Sequence, residues 1–358
     1  MSDPLRTILT ERLGCRYPIV QTAMGWIATP PLVIATSEAG AFGFLAAAVM
    51  TPAEVREAIA AVRAGTTRRF GVNFHSFQPG ASEIVDIIVE NADQVRAVSF
   101  GRGPDAKMIA RFRDAGILTM PTVGAVKHAQ KMAQLGVDII TVQGGEGGGH
   151  TGSVPTTVLL PQVLDAVKVP VVAAGGFADG RGLAAALAFG AAGIAMGTRF
   201  LMTRESAPPD QVKARYVAAS TDDITVSTRV DGIPQRMIRN HALDRIERSS
   251  DIGLWRRAIE SGLQMKRQTG ASFAELLRAA QGMTSHGGLT LPQAMMAAAA
   301  PMLIQRAVVD GDAENGLMAT GVVAGRLGDL PSVAELVESI MAEARARIAA
   351  LVPQGENV

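Results

Sequence analysis

The sequence predicts an α/β protein, a (β/α)8 TIM barrel with a helical C-terminal extension over the barrel mouth. Three observations predict it. Between Pro18 and Gly197 an apolar run, a glycine-rich or polar turn and a helical segment follow one another repeatedly. The apolar runs are continuous rather than alternating, as in strands buried on both faces of a parallel sheet. There are eight of them, at 18–21, 42–45, 70–73, 97–100, 117–120, 139–142, 169–173 and 193–196. Eight is the count that favours a closed barrel over an open doubly wound sheet.

The segments between the runs read as helices. Thr51-Pro52 places an N-cap residue before a proline at the first helical position, followed by Val55, Ala58, Ile59 and Val62 at helical spacing. The stretch from Ala125 to Leu135 stops at Gly136, a helix-ending residue. After Met202 the period is lost. A loop at 206–210 and a polar stretch at 220–228 precede helical segments at 254–263 and 273–280. The last segment, 332–351, begins with Ser332 and Glu335 in capping-box spacing and turns Val333, Leu336, Val337, Ile340 and Met341 to one face. The expected organisation is therefore a barrel over 1–205, a helical substrate-side extension over 206–320, and a C-terminal segment and helix over 321–358 that packs back on the barrel.

Composition narrows the function classes. Of 358 residues, 48% are hydrophobic and 19% charged, enough for a large core and against wholesale disorder. Lys and Arg number 34 against 33 Asp and Glu, and aromatics are 4%, so no basic, ring-studded nucleic-acid surface is expected. Cys15 is the sole cysteine, which excludes an intramolecular disulfide, a CxxC pair and a multi-cysteine metal site. No HExxH or paired His/carboxylate spacing is present, so no metal is expected. The most apolar stretch, 182–202, is broken by three glycines and Arg199, unlike a membrane span. No secretory leader is evident, and the expected location is cytoplasmic.

In a barrel, chemistry belongs to the loops after the strands. Run seven is followed by Ala174-Gly-Gly-Phe-Ala-Asp-Gly180 and run eight by Met196-Gly-Thr-Arg-Phe200. Loops in these two places form the common phosphate site of such barrels: glycines admit close backbone approach and helix N-termini favour an anion. After run six comes Gln143-Gly-Gly-Glu-Gly-Gly-Gly-His-Thr-Gly152, five glycines in its first eight residues. Such a loop is entropically costly unless its backbone lies close against something. His150 is its proton-transfer group, and Glu146 reads as a loop carboxylate. His75 ends run three, His128 lies within a helix, and His241 and His286 lie in the extension. Barrels with this pair of phosphate loops bind IMP, FMN or substrate phosphates. Enzymes of the IMP type need a nucleophilic cysteine after a strand, and Cys15 precedes run one, which leaves FMN. Its phosphate is expected on Gly175, Gly176, Gly197 and Thr198, and its ring across 21–25, meeting Asn73.

Five segments carry a resemblance: 18–24, 71–73, 148–152, 174–180 and 196–200. They are similar, in order, to the nitronate monooxygenase (2-nitropropane dioxygenase) family of FMN-dependent TIM barrels. That family has relatives among NAD(P)H:quinone reductases and flavin-dependent enoyl-thioester reductases. Segment 319–325 also resembles a family segment. The resemblance implies that Ala23, Met24, Gly25 and Asn73 touch the flavin ring, that Gly148 and Gly149 line it, and that Ala174, Gly175, Gly176, Gly197 and Thr198 hold the phosphate. It implies that His150 is the active-site base. Two positions depart from the pattern. Thr122 stands where some relatives have lysine, and Val322 where many have glutamine. Segments 230–240 and 300–304 resemble a subgroup of steroid-degrading bacteria that acts on ring-fragment CoA thioesters.

Two enzymatic functions follow as expectations. One is oxidation of alkyl nitronates with O2 to a carbonyl compound and nitrite, with His150 as base. The alternative is an NAD(P)H-linked FMN reductase or desaturase of an enoyl or acyl-CoA thioester, or a quinone reductase. There NADH or NADPH is the candidate reductant, and Arg236, Arg239, Arg256 and Arg257 are candidate contacts for a CoA phosphate tail. A barrel that merely binds a phosphorylated ligand is the third reading, and His150 speaks against it. The partner is a small molecule in either enzymatic case. Oligomeric state, a homodimer included, is left open.

Overall fold

All eight apolar runs form strands in the computed structural model, which describes residues 3–76, 78–101, 106–249 and 291–351. The chain divides into two compact units. One comprises Met1–Gly147, Gly152–Ala207 and Asp329–Val358; the other comprises Gly148–Thr151 and Pro208–Gly328.

The first unit holds nine parallel strands: β1 (Ile19–Gln21), β2 (Phe42–Ala46), β3 (Phe70–His75), β4 (Val95–Gly101), β5 (Leu118–Thr119), β6 (Thr122–Val123), β7 (Ile140–Gln143), and, beyond a short strand β8 (Gly149–His150) of the other unit, β9 (Val171–Ala174) and β10 (Gly193–Met196). Their order is β5-β4-β3-β2-β1-β10-β9-β7-β6. The two ends of that order are halves of one strand, which continues the fifth run on to Val123: β5 pairs with β4 and β6 with β7. Met120 and Pro121 interrupt it. Proline lacks the N–H a central strand needs, yet its carbonyl still accepts from Thr141 N at 2.9 Å. The ring therefore closes as eight strands, with the fifth split in two.

Side-chain alternation sorts the core into two layers. Val20, Phe42, Phe44, Ala97, Met120, Ile139, Val172, Ala174 and Ala195 form one buried cluster, joined by Leu9 and Leu13 of helix α1 (Ile8–Leu13). Their strand neighbours, such as Ile19, Leu45, Val98, Ala173 and Ile194, belong to a second cluster shared with the helices. The first cluster fills the barrel interior. Gly71 makes room in it, since a Cβ there would stand 2.3 Å from the Phe44 ring.

The helices of this unit are α2 (Pro30–Glu38), α3 (Pro52–Gly65), α4 (Ala81–Glu90), α5 (Ala106–Asp114), α6 (Val126–Gln134), α7 (Thr156–Ala166), α8 (Gly180–Phe189) and the single turn α9 (Thr198–Leu201). Thr51 caps α3 in a complete capping box with Glu54. The C-terminal helix spans Val333–Leu351; Ser332 N donates to Glu335 at 2.8 Å and Glu335 N to Ser332 Oγ at 3.2 Å. All five apolar residues expected on its inner face are buried in the helix layer. Gly180 lets α8 approach it closely, because a Cβ there would meet Ala344 N at 2.4 Å.

The second unit contains α10 (Asp210–Val217), α11 (His241–Glu247) and α12 (Leu291–Val308), and the final helix of the chain is accordingly α13. It also contains a three-stranded sheet that the sequence does not announce: β11 (Ile224–Ser227), β12 (Gln235–Ile238) and β8, in the order β11-β12-β8. Both pairings are antiparallel. Val230, Met237, Ala242, Leu243, Ile246, Ala300 and Leu317 form its apolar centre. Tyr216 is fully buried, with its phenol driven upward in pKa by desolvation and its hydroxyl donating to Ala319 O at 3.1 Å. The helical segments expected at 254–263 and 273–280 lie outside the described residues.

Candidate functional site

In the first unit every strand of the barrel points the same way, so the strand C-termini share one rim. The interior below it is packed, which confines any ligand to the rim itself. Ala23, Met24 and Gly25 follow β1 there and are half-buried, as is Asn73 near the end of β3. The Asn73 amide donates to Ser99 O at 3.0 Å, which orients it. Thr122 is exposed at the start of β6, with no cation in its place. Ala174 closes β9, and Gly175 and Gly176 follow at φ +93° and +84°, a left-handed geometry that favours glycine. Gly197 precedes α9, where Thr198 is buried. Its neighbour Arg199 is buried too and donates to Asp329 at 2.7 Å.

Two side-chain carboxylates take up amides at the start of α8. Asp179 caps Gly182 N at 3.1 Å, and Gly180 N donates to Glu343 at 2.8 Å. The loop glycines and the Gly197–Thr198 turn make up the rest of the expected anion position. Glu146 is a loop carboxylate, as expected: it accepts from Thr156 N at 2.9 Å and Thr156 Oγ1 at 2.7 Å, holding the start of α7. Thr156 Oγ1 also lies 3.0 Å from Gly175 O, which ties the two loops together. Cys15 packs beneath the barrel interior with its thiol pushed up to about 12 by burial, so it stays protonated and is no nucleophile.

A rim of small and apolar residues with one oriented amide, set over a filled barrel beside two left-handed glycines, fits a flat ring that carries a phosphate.

In the second unit His150 lies on β8 opposite Gln235 of β12. Its Nε2 is 2.6 Å from Asp231 Oδ2. Gln235 Nε2 donates to the same oxygen at 2.6 Å and stands 3.3 Å from His150 Nε2. Ile233 N–H donates to the other carboxylate oxygen at 3.1 Å. The Asp231 side chain is 8% exposed against 56% for His150. Burial acts to raise the Asp231 pKa, but the hydrogen bond and charge of His150, with Ile233 and Gln235, outweigh it and hold the carboxyl below its usual range. The arrangement is a half-exposed imidazole backed by a buried carboxylate.

Gly148 has a structural reason of its own: a Cβ there would meet Gly321 N and Thr320 C at 2.4 Å. Gly149, at φ +63°, has open space around its Cβ direction. Sequence reasoning assigned no role to Asp231 or Gln235, although both lie in the 230–240 segment it singled out. His75 ends β3, His128 lies within α6, and His241 begins α11 with Glu314 3.7 Å away. Arg239 is paired with Asp244 at 2.8 Å, and Arg236 lies on β12. Arg256, Arg257 and His286 lie outside the described residues. Among the described residues no group of His, Cys, Asp and Glu is placed to hold a metal ion, and no helix is long and apolar enough to cross a membrane.

The sequence matches the nitronate monooxygenase family over residues 6–343. The chain belongs to the nitronate monooxygenase family. It is 48% identical, over 95% of its length and 96% of the relative's, to a Mycobacterium tuberculosis protein named (3aS,4S,5R,7aS)-5-hydroxy-7a-methyl-1-oxo-octahydro-1H-indene-4-carboxyl-CoA dehydrogenase. A Rhodococcus jostii protein of the same name is 46% identical over 97% of this chain and 98% of that one. Among solved structures, FabK from Thermotoga maritima superposes with a TM-score of 0.77 at 32% identity, covering 97% of this chain and 98% of that one. The fold is thus the α/β barrel of that structure, and this member of the nitronate monooxygenase family is an oxidoreductase.

Proposed function

We propose that the protein is an FMN-dependent dehydrogenase of an acyl-CoA thioester, one whose carboxyl group is borne on a fused alicyclic ring. What carries the choice of substrate class is the likeness, nearly end to end on both chains, to two proteins named as dehydrogenases of such a carboxyl-CoA compound. Ala23, Met24, Gly25 and Asn73 would hold the flavin ring, with Gly148 and Gly149 lining it. Ala174, Gly175, Gly176, Gly197 and Thr198 would hold its phosphate. Bound FMN supplies a two-electron acceptor for a β-hydride, and a nicotinamide is the proposed external redox partner. His150 takes the α-proton, which the thioester carbonyl acidifies, and the Asp231 carboxylate balances the imidazolium that results.

A second reading, oxidation of alkyl nitronates, is favoured by the family match over residues 6–343. There His150 would take the α-proton of a neutral nitroalkane, or orient the nitronate anion, which has already lost that proton.

One experiment separates the two. The purified protein, yellow if it carries flavin, is mixed without oxygen with a saturated fused-ring carboxyl-CoA thioester. Bleaching of the flavin band together with formation of the α,β-unsaturated thioester is the expected result. A band indifferent to the thioester but bleached by a nitronate, with nitrite formed under air, would replace this reading with the second. A colourless protein that takes up no FMN would sink both.

A further inference from the structure

We propose that Asp231, with Gln235 beside it, sets the tautomer of His150, so that Nδ1 and not Nε2 is the nitrogen that accepts the substrate proton. The two residues are 81 positions apart in the chain, and the β8–β12 pairing brings them together. The atoms that meet are His150 Nε2 and Asp231 Oδ2, at 2.6 Å. At that distance a proton lies between them, since two lone pairs so close repel. Asp231 also accepts from Ile233 N–H at 3.1 Å and from Gln235 Nε2 at 2.6 Å, the donor set of an ionised carboxylate. The shared proton therefore belongs to Nε2, and a neutral imidazole then carries its lone pair on Nδ1.

The Gln235 contact accords with that assignment. Its amide nitrogen and His150 Nε2 converge on the same carboxylate oxygen while standing 3.3 Å from each other, as two donors sharing one acceptor do. The Ile233 N–H pins the other oxygen, so the carboxylate cannot swing away without losing a bond at a nearly buried site. Asp231 is thus a positioning residue that acts through His150.

The inference rests on the reading of His150 as the base. In the step concerned, the α-C–H bond breaks and an Nδ1–H bond forms. The electron pair stays on the α-carbon in conjugation with the thioester carbonyl, and the imidazolium is paired with Asp231.

The test uses the full chain as purified, with 15N-labelled histidine and long-range 1H–15N correlation of the ring nitrogens. His150→Gln removes one signal set and so assigns it. The expected result is an Nε2–H, Nδ1-lone-pair pattern for His150. In Asp231→Asn that pattern is lost, and kcat for the thioester falls by about 10²-fold or more while KM and flavin content hold. In Gln235→Ala the tautomer is kept and kcat falls only several-fold, so a variant remains even if Asp231→Asn does not fold. An Nδ1–H pattern in the unsubstituted protein overturns the inference. So does an unchanged tautomer and rate in Asp231→Asn. The ring spectrum needs no substrate, so failure of the thioester reading, seen as absent turnover, is told apart from failure of this one.

Discussion

The His150 ring is half-exposed while the carboxylate behind it is nearly buried, which suits the proposed role of His150 as base: the ring is open to solvent and its partner is shielded from water. Replacing it by glutamine keeps a polar side chain and removes the proton acceptor. The expected loss in turnover is about 10²- to 10⁴-fold with the flavin band retained, read by steady-state assay and absorbance. Asp231 also makes an acid-side prediction. Its folded pKa lies below the unfolded value, because the groups facing it, His150, Gln235 and the Ile233 amide, together outweigh burial. The stabilisation it contributes is therefore present above the ordinary carboxylate range and is lost as pH falls through the folded value. The His150 ring signals should respond to an acid step below the ordinary carboxylate range that Asp231→Asn abolishes. Neither residue was readable as a pair from sequence. A histidine and an aspartate 81 residues apart have no common periodicity, and only the resemblance of segment 230–240 marked the place.

Among the elements, the short strand β8 decides most. It is two residues long in a glycine-rich loop, below the length at which strand periodicity can be seen. It exists because Gln235 and Arg236 pair with it and because Gly148 allows backbone to lie against Thr320 and Gly321. Gly148→Ala should cost about 1–3 kcal/mol through overpacking against backbone that cannot rotate away. A lowered urea midpoint together with a disturbed His150 ring signal is the expected result, and a protein unchanged in both would refute this account of the glycine. The strands β11 and β12 escaped notice for another reason. Ile224 and Ser227 are buried while Thr225 and Val226 are not, so the stretch shows neither a continuous apolar run nor strict alternation. By contrast, the eight barrel runs were legible because both faces of each strand are buried, and α3 and α13 because their capping boxes are local. The split of the fifth strand at Pro121 was not read, since proline there still leaves its carbonyl to the ladder.

At the scale of the whole molecule, the barrel interior is packed, and the proposed place for FMN is the strand-end rim. A ligand that binds only the folded state stabilises it by mass action, about 2.7 kcal/mol at a free concentration 100 times its Kd. Protein stripped of flavin should therefore melt lower than the same protein with FMN added, and the difference should grow with FMN concentration. Riboflavin, which lacks the phosphate, should give a smaller rise if the Gly175–Gly176 and Gly197–Thr198 loops hold that group. Equal rises for the two would remove the phosphate from this account.

By itself the sequence determined the barrel, its eight strands, the C-terminal helix and the glycine-rich character of the loops after β9 and β10. Each of these is encoded by neighbours along the chain: apolar runs, caps and glycines act over a few residues. The tertiary structure alone decided that Glu146 and Glu343 spend their carboxylates on helix starts and that Asp231 and Gln235 stand behind His150. Those outcomes depend on which distant segments meet, and a hydrogen bond across 81 residues leaves no trace in local pattern because either partner alone looks like an ordinary loop residue.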